Sequence, residues 1–248
     1  MTSDPVSSGE PTDATTSRDR EDLISSTDDS SRRAAFVLER LARRFPNPRS
    51  ALNWSTPWEL LVSTVLAAQC TDARVNMVTP EFFRRWPGIP DLAAADLTAV
   101  EQVVHSTGFF RMKAKNLIGT ARLLVQEHDA AVPRTMDELV RLPGVARKTA
   151  NIVLSNAFGI HEGLAVDTHV KRLAFRLGFT TQTDPKRIER ELMRLFPQSA
   201  WGDVNHYLVL HGRATCTARS PRCAECELAR VCPRCGVADR GMKTHPAP

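Results

Sequence analysis

The sequence predicts an all-α protein, and three observations carry this prediction. Apolar residues recur at helical spacing through most of the chain between residues 34 and 213, a pattern typical of amphipathic helices. No pair of segments shows the alternating pattern of a β-hairpin. The 248 residues are 42% hydrophobic and 25% charged, which suits a globular chain with a sizeable core and excludes a collagen or a fully disordered chain.

The predicted helices follow one another with short connections and show no internal repeat. Pro57 begins one of them, because the first turn of a helix tolerates proline. The predicted helices cover residues 34–45, 57–69, 91–105, 113–128, 136–142, 147–158, 166–177, 185–196 and 200–213.

Charge is unevenly distributed along the chain. The net charge is +5, but residues 1–32 carry eight acidic residues and three arginines, so the remainder holds about +10. A basic body favours a polyanionic partner, with nucleic acid first, although simple solubility explains the charge equally well. Residues 1–32 almost lack apolar side chains, so we predict a disordered acidic tail there and a flexible tail over residues 237–248.

No segment has the features of a membrane span or a secretory signal. The longest weakly polar stretch, residues 58–70, contains polar side chains and is too short to cross a bilayer. The N-terminal residues lack a basic start followed by an apolar core. We therefore expect a cytoplasmic protein without a membrane partner, associated with the nucleoid if it binds DNA.

A short connector between two predicted helices, LPGVARKTA at residues 142–150, is suited to bind phosphate. Pro143 ends the first helix, and Gly144 allows a backbone turn that other residues resist. The next helix then begins with free N–H groups, which bind phosphate without sequence preference. Arg147 and Lys148 add positive charge there. The alternative interpretation is an ordinary tight turn between two helices.

Five of the six cysteines fall within the last 33 residues. Because no export signal favours disulfides, metal binding is the preferred interpretation. Two ligand sets are open. Cys223, Cys226, Cys232 and Cys235 would form two C-x2-C pairs, which is typical of a zinc site. Cys216, Cys223, Cys226 and Cys232 have the spacing C-x6-C-x2-C-x5-C, and four thiolates can also hold a [4Fe–4S] cluster.

The connector at residues 142–150 resembles the helix–hairpin–helix signature of DNA glycosylases. More narrowly, residues 142–158 together with AVDTHV at residues 165–170 are similar to the endonuclease III family, and the resemblance extends from about residue 57 to residue 232. It implies a two-lobed helix–hairpin–helix DNA glycosylase fold with a C-terminal [4Fe–4S] cluster loop. The ligands it implies are Cys216, Cys223, Cys226 and Cys232, with Cys235 spare.

The resemblance also implies that the hairpin binds DNA through Leu142, Gly144, Ala146 and Arg147. One position departs from the family pattern, which usually has a second glycine where this chain has Ala146. A methyl group there would crowd a bound phosphate or require a different backbone angle. We therefore expect DNA binding to persist, with the phosphate affinity left open.

Lys148 and Asp167 are the catalytic pair that the resemblance implies. Lys148 would attack C1′ of a damaged nucleotide, form a Schiff base and cut the strand on the 3′ side by β-elimination. Asp167 would either stabilise positive charge on the sugar or handle protons. A partly buried lysine at a helix N-terminus is also biased towards the neutral, nucleophilic amine. Taken alone, a surface lysine and a helix-capping aspartate are the simpler interpretations.

Further DNA contacts follow from the same resemblance. Gln69 corresponds to a glutamine that fills the gap left by an extruded base, and Phe109 to an inserted apolar wedge with Lys113 nearby for phosphate. Arg219 and Arg222 lie on the loop between the first two cysteine ligands, which touches DNA in the family. The alternatives are a polar residue at a helix end, a core phenylalanine and a solvated basic loop.

The sequence therefore predicts a bifunctional DNA glycosylase and abasic-site lyase of base excision repair. Its expected partner is double-stranded DNA containing oxidised pyrimidines or abasic sites, bound by a monomer. We expect a central helical domain over residues 50–160 and an iron–sulfur domain formed by residues 33–49 with 161–236. Lys148 and the short segment after Cys232 disfavour a monofunctional adenine-type glycosylase. The catalytic pair and the cluster disfavour a non-enzymatic DNA-binding module.

Overall fold

The computed structural model describes residues 24–238, and every regular element in that part of the chain is a helix. This confirms the predicted all-α fold. The helices are α1 (Ser30–Arg44), α2 (Pro57–Leu66), α3 (Asp72–Arg85), α4 (Ile89–Ala93), α5 (Leu97–Val104), α6 (Phe110–Glu127), α7 (Met136–Leu139), α8 (Arg147–Phe158), α9 (Thr168–Arg176), α10 (Pro185–Leu195) and α11 (Trp201–Ala214), with short 3-10 turns at His105–Thr107, Gln198–Ala200 and Cys223–Glu225. No helix between residues 24 and 238 is long and apolar enough to cross a membrane.

Capping side chains set several of the helix starts. Thr71, Asp96 and Asp184 each accept a hydrogen bond from the backbone N–H three residues further on, which satisfies one of the free donors of a helical first turn. The cap at Asp96 begins a new helix, so the single helix predicted over residues 91–105 is two helices, α4 and α5. Helix α3 was not predicted, and it contains Pro80 in its interior.

Two hydrophobic clusters form the cores of the molecule. One contains buried residues from Leu52 to Leu154, and the other combines α1 with buried residues from Leu164 to Val231. The chain passes between the clusters twice, once after α1 and once after α8. We propose that these clusters are the cores of the central and iron–sulfur domains predicted from the sequence.

The folded body begins earlier than predicted. Asp29 caps α1, which starts at Ser30, and Ile24 packs against the second cluster. Arg33 is buried and donates hydrogen bonds to the backbone carbonyls of Leu177 and Gly178. The prediction of a disordered tail is therefore wrong for residues 24–32. The rest of that tail, residues 1–23, and residues 239–248 lie outside the described part of the chain.

Candidate active site

The hairpin between α7 and α8 is held against α6. Gly144 has φ +77°, in the left-handed region that favours glycine. A Cβ at this position would lie 2.7 Å from Asn116 Nδ2, so there is no room for a larger residue without a shift. Thr120 Oγ1 donates a 3.0 Å hydrogen bond to the carbonyl of Pro143. These contacts fix the turn at the point where α8 begins.

Ala146 is the N-cap of α8 and adopts φ −88° and ψ 165°. This is extended backbone that any residue adopts, so the methyl group requires no unusual backbone angle. Ala146 supplies no side-chain hydrogen bond to the helix. The N–H groups in the first turn of α8 consequently lack helical acceptors and can bind an anion.

Two other residues of the hairpin depart from their expected roles. Leu142 is 2% exposed and packs in the first hydrophobic cluster, while its backbone N–H and carbonyl are both hydrogen-bonded within the hairpin. The side chain of Leu142 therefore supports the hairpin, and its part in DNA binding stays a prediction. Arg147 Nε donates a 2.8 Å hydrogen bond to Glu189 Oε2, so its charge is already offset by a carboxylate.

The pair Arg147–Glu189 joins the hairpin to α10 of the second cluster. Glu189 is only 4% exposed, and its other carboxylate oxygen accepts a 2.8 Å hydrogen bond from Asn151 Nδ2. The hydrogen bond to Glu189 raises the pKa of Arg147. This pairing offsets the positive charge that the sequence led us to expect at Arg147, whose DNA contact stays a prediction.

Lys148 is the second residue of α8, and its side chain is exposed. The partial burial expected for this lysine is therefore absent from the unbound protein. Asp167 is the N-cap of α9, where its Oδ1 accepts a 2.8 Å hydrogen bond from the backbone N–H of Val170. Burial lowers the pKa of His169, and the charges of Asp167 and Lys148 shift that pKa in opposite directions. His169 thus lies within electrostatic range of both residues.

Gln69 and Phe109 lie in two exposed turns with the same unusual backbone. Gln69 has φ +53° and Phe109 has φ +48°, values that cost a non-glycine residue about 1–2 kcal/mol. Phe109 is 67% exposed, so it is not a core residue. Both side chains remain accessible to a bound duplex.

Lys113 does not face solvent, contrary to expectation. It is 4% exposed, and its Nζ donates 2.8 Å hydrogen bonds to the carbonyls of Leu66 and Thr107. Burial lowers its pKa. The prediction that Lys113 binds phosphate is wrong because its ammonium group is enclosed and already bonded.

Four cysteines line one pocket: Cys216, Cys223, Cys226 and Cys232. Cys235 is not among the residues that line it. Burial, together with the charges of Glu227, Cys232 and Cys216, raises the pKa of Cys226 to about 12, so this site favours thiolates only around a cationic group. Within residues 24–238 no set of three or more His, Cys, Asp or Glu side chains is arranged to hold a single metal ion.

Arginines on α9 hold the cysteine loop, a role that sequence reasoning missed. Arg176 donates hydrogen bonds to Cys216 Sγ at 3.2 Å, to the Thr217 carbonyl at 2.7 Å and to the Ala218 carbonyl at 2.9 Å. Arg219 follows directly on this anchored loop and is exposed. Arg222, also predicted to bind DNA, donates to the Ala214 carbonyl and lies 3.9 Å from Glu225 Oε2.

Arg172, one helical turn before Arg176, connects the cysteine loop to the catalytic end of α9. Its Nη2 lies 3.1 Å from the Cys216 carbonyl and 3.1 Å from His169 Nδ1. Since arginine only donates, His169 Nδ1 accepts, and the proton of the neutral imidazole is on Nε2. The spacing of Arg172 and Arg176 places them on one helix face. This shared face is the only feature of the sequence that could have indicated their role in holding the loop.

An ion pair between the two clusters was also missed. Arg213 Nη2 on α11 lies 2.8 Å from Asp72 Oδ2, the first residue of α3. Asp72 follows Gln69 by three residues, and the charge of Arg213 also lowers the pKa of His169. The pair therefore joins α11 to the start of α3.

Comparison with known proteins agrees with this arrangement. A family model described as HhH-GPD superfamily base excision DNA repair protein matches residues 62–198, and the iron–sulfur binding domain of endonuclease III matches residues 216–232. Endonuclease III of Synechocystis sp. is 54% identical over 201 residues, which cover 81% of this chain and 92% of the relative. The chain belongs to the endonuclease III family. The Escherichia coli enzyme is 38% identical over 196 residues, 79% of this chain and 92% of the relative.

Solved structures extend the family relationship to the fold. An endonuclease III in a non-covalent complex with DNA is 40% identical, has a TM-score of 0.78 and covers 82% of this chain and 95% of its own. A trapped covalent endonuclease III–DNA intermediate matches with the same TM-score of 0.78 and identity of 40%, covering 82% and 96% of the two chains. As a family member, the protein is a DNA glycosylase and abasic-site lyase of base excision repair with a [4Fe–4S] cluster.

Proposed function

We propose that this protein removes oxidised pyrimidines from double-stranded DNA and cuts the abasic site on its 3′ side, acting as a monomer at the nucleoid. The observation that carries the proposal is the exposed Lys148 in the first turn of α8, whose N-cap Ala146 supplies no side-chain hydrogen bond. This turn offers an amine and an anion site, and the proposed carboxylate of the same site is Asp167 at the start of α9. These are the groups that covalent glycosylase chemistry requires.

Lys148 is the proposed nucleophile. Its neutral amine attacks C1′ as the bond from C1′ to the base breaks, and the base leaves with the electron pair and takes up a proton. Loss of the amine proton and opening of the sugar ring give a Schiff base between Lys148 and C1′. Removal of a proton from C2′ then expels the 3′ phosphate, which cuts the strand. Backbone N–H groups of the α8 first turn hold a neighbouring phosphate during these steps.

Asp167 is proposed to stabilise the positive charge that develops on the sugar. As the N-cap of α9 it accepts the N–H of Val170 through Oδ1, which fixes its carboxyl group at the start of that helix. No hydrogen bond among residues 24–238 uses its second carboxylate oxygen. That oxygen is available to the sugar, where a preorganised charge acts most strongly once water is excluded.

Gln69, Phe109 and Arg219 are proposed to open and hold the duplex. A glycosylase must extrude its target nucleotide and fill the gap that remains. The amide of Gln69 suits hydrogen bonding to the unpaired base, and the exposed ring of Phe109 suits insertion between bases. Arg219 extends from the loop that Arg176 anchors and pairs with phosphate.

The proposed ligands of the [4Fe–4S] cluster are Cys216, Cys223, Cys226 and Cys232. The positive charge of the iron would compensate the charge of the four thiolates. The cluster would also link the two ends of the loop that carries Arg219, which lies between Cys216 and Cys223. Cys226→Ser should lose most of the iron and the visible colour of the protein. Cys235→Ser is the matched control and should keep about four irons per chain, as four cysteine ligands require. Bleaching of the Cys235→Ser protein, with colour retained in Cys226→Ser, would reverse the ligand assignment.

The substrate is tested with three duplexes, which contain an oxidised thymine, an adenine opposite oxidised guanine, or a preformed abasic site. Base release and borohydride trapping are measured on each. We expect release from the first duplex and trapping on the first and third. Release from the adenine duplex without any trapped adduct would instead identify a monofunctional adenine-type enzyme. Sedimentation of the protein with and without DNA tests the monomer, and a fluorescent fusion tests association with the nucleoid.

A further inference from the structure

We propose that Lys113 is a positioning residue that holds the Gln69 and Phe109 turns at one fixed separation, so that both side chains enter the duplex together. This inference rests on the DNA roles proposed above for those two residues. It assigns to Lys113 a function different from the phosphate contact that its sequence neighbourhood suggests.

One nitrogen atom joins the two turns. Lys113 Nζ donates to the carbonyl of Leu66, the last residue of α2, and to the carbonyl of Thr107, both at 2.8 Å. Leu66 precedes Gln69 by three residues, and Thr107 precedes Phe109 by two. Each turn is therefore tied to the same ammonium group two or three residues before its left-handed position.

The chemistry of these bonds makes the connection strong. Both are charge-assisted, and such bonds are shorter and stronger than those between neutral groups. The cation also lies at the C-terminus of α2, where the helix dipole favours positive charge and the last carbonyls lack intrahelical partners. Since Lys113 is 4% exposed, water does not replace either bond at low cost.

The two turns need such support from elsewhere. Gln69 and Phe109 adopt left-handed backbone conformations, which persist only where the surroundings hold them. The side chains themselves provide little anchoring, since both point into solvent. The same helix, α6, also supports the hairpin through Asn116 and Thr120. Lys113 thus completes a scaffold in which α6 positions all three DNA-facing turns.

The inference predicts different effects on the two chemical stages. Release of a stacked base requires extrusion and gap filling, whereas an abasic site already lacks the base and is cheaper to extrude. Loosening the two turns should therefore slow base release much more than Schiff-base formation at a preformed abasic site. A general loss of folding would lower both rates together.

Lys113→Met removes the ammonium group and keeps much of the side-chain volume, and Lys115→Met on the exposed face of α6 is the matched control. We expect Lys113→Met to lose about 10- to 100-fold in single-turnover base release, the scale of a misplacement of about 1 Å. Borohydride trapping on preformed abasic DNA should stay within about twofold. A fluorescent base analogue opposite the lesion should report less unstacking. Lys115→Met should match the parent in all three assays.

If Lys113→Met does not fold, Lys113→Arg tests the positioning role instead, because it keeps the positive charge but moves the hydrogen-bond donors. We expect it too to slow base release while leaving borohydride trapping nearly unchanged. Equal losses in both assays, or parental base release, would overturn the positioning role. Gln69→Ala and Phe109→Ala separate this failure from failure of the proposed function. If both variants release base at the parental rate, the DNA roles of the two turns are themselves wrong.

Discussion

Two turns in this protein have the same spacing between a left-handed residue and a lysine, but the two lysines lie in opposite environments. In the hairpin, Gly144 has φ +77° and Lys148 follows four residues later; in the second turn, Phe109 has φ +48° and Lys113 follows four residues later. Each lysine lies at the start of a helix. Yet Lys148 is exposed, whereas Lys113 is 4% exposed and bonded to two backbone carbonyls.

The difference follows from where each helix begins. Helix α8 starts at Arg147, so Lys148 is its second residue, while α6 starts at Phe110, so Lys113 is its fourth. Successive residues of an α-helix are rotated by about 100°, and two positions therefore turn a side chain to nearly the opposite face. A sequence motif specifies the residue types, but the position at which the helix begins determines whether a lysine side chain faces solvent or the core.

Lys148→Gln should produce the largest effect on this comparison. It removes the amine and keeps a polar side chain of similar length, so we expect binding to abasic duplex to persist. Strand cutting should fall by about 10³-fold or more, since residues that act through covalent chemistry are not replaced by their neighbours. Gel electrophoresis of the nicked strand and of the borohydride-trapped adduct measures both losses.

Lys186→Gln, which removes an exposed lysine on α10, is the control for the loss of one positive charge. It should cut and trap at the parental level. Trapping that survives in the Lys148→Gln protein would mean that another amine performs the chemistry, and the contrast between the two lysines would lose its functional meaning.

The features that the sequence predicted correctly are local ones. Helical periodicity gave most elements, and the turn at Gly144 follows from neighbouring residues alone. Lys113 was misassigned, and the ion pair of Arg147 was missed, because their partners are distant in sequence: Leu66 lies 47 residues from Lys113, and Glu189 lies 42 residues from Arg147. Whether a cation is free depends on such tertiary contacts, which a motif does not contain.

The same reasoning applies to the elements that were missed. Helix α3 has a capping threonine before it, but Pro80 in its interior opposes a helical assignment. Arg172 and Arg176 resemble a solvated charged face until the cysteine loop packs over them. The family resemblance was needed to choose the cluster ligands over the zinc ligand set, because the cysteine spacing fits both. The pocket that the four ligands line, without Cys235, forms only when the loop folds.

Arg147→Met sharpens the comparison within the hairpin, because Arg147 and Lys148 are adjacent cations with different surroundings. Removing Arg147 leaves the buried carboxylate of Glu189 without its ion pair. We expect a loss of about 2 kcal/mol in the free energy of unfolding, below the value for a fully buried pair because the Arg147 side chain is 39% exposed. Urea unfolding measures this loss.

For DNA binding, we expect the larger change in the Lys148→Gln variant and the smaller change in the Arg147→Met variant. The Lys148→Gln variant should reduce the dependence of log affinity on log salt by about one unit, because it removes an exposed positive charge close to the bound phosphate. The Arg147→Met variant should leave that slope unchanged, since its charge is already paired with Glu189. A reduced slope in Arg147→Met with unchanged stability would show that Arg147 binds phosphate after all.

The last two predictions concern backbone positions of the hairpin. Gly144→Ala places a methyl group 2.7 Å from Asn116 Nδ2 and forces alanine into φ +77°. We expect about 2 kcal/mol of lost stability, mostly from the left-handed conformation, and a melting temperature lower by about 4–8 °C for a domain of this size. Calorimetry of the full chain measures the shift.

Ala146→Gly is the matched substitution in the opposite direction, and it restores the residue usual in the family. Ala146 already has φ −88°, so glycine relieves no backbone strain. Glycine is preferred over alanine at a helix N-cap, but it has greater conformational freedom in the unfolded chain, and these two effects on stability offset each other. Stability should therefore change by less than about 0.5 kcal/mol. Any effect should appear in DNA affinity alone, as tighter binding if the methyl group crowds phosphate. A fall in melting temperature as large as that of Gly144→Ala would mean that the two positions have equal backbone demands, contrary to their φ angles.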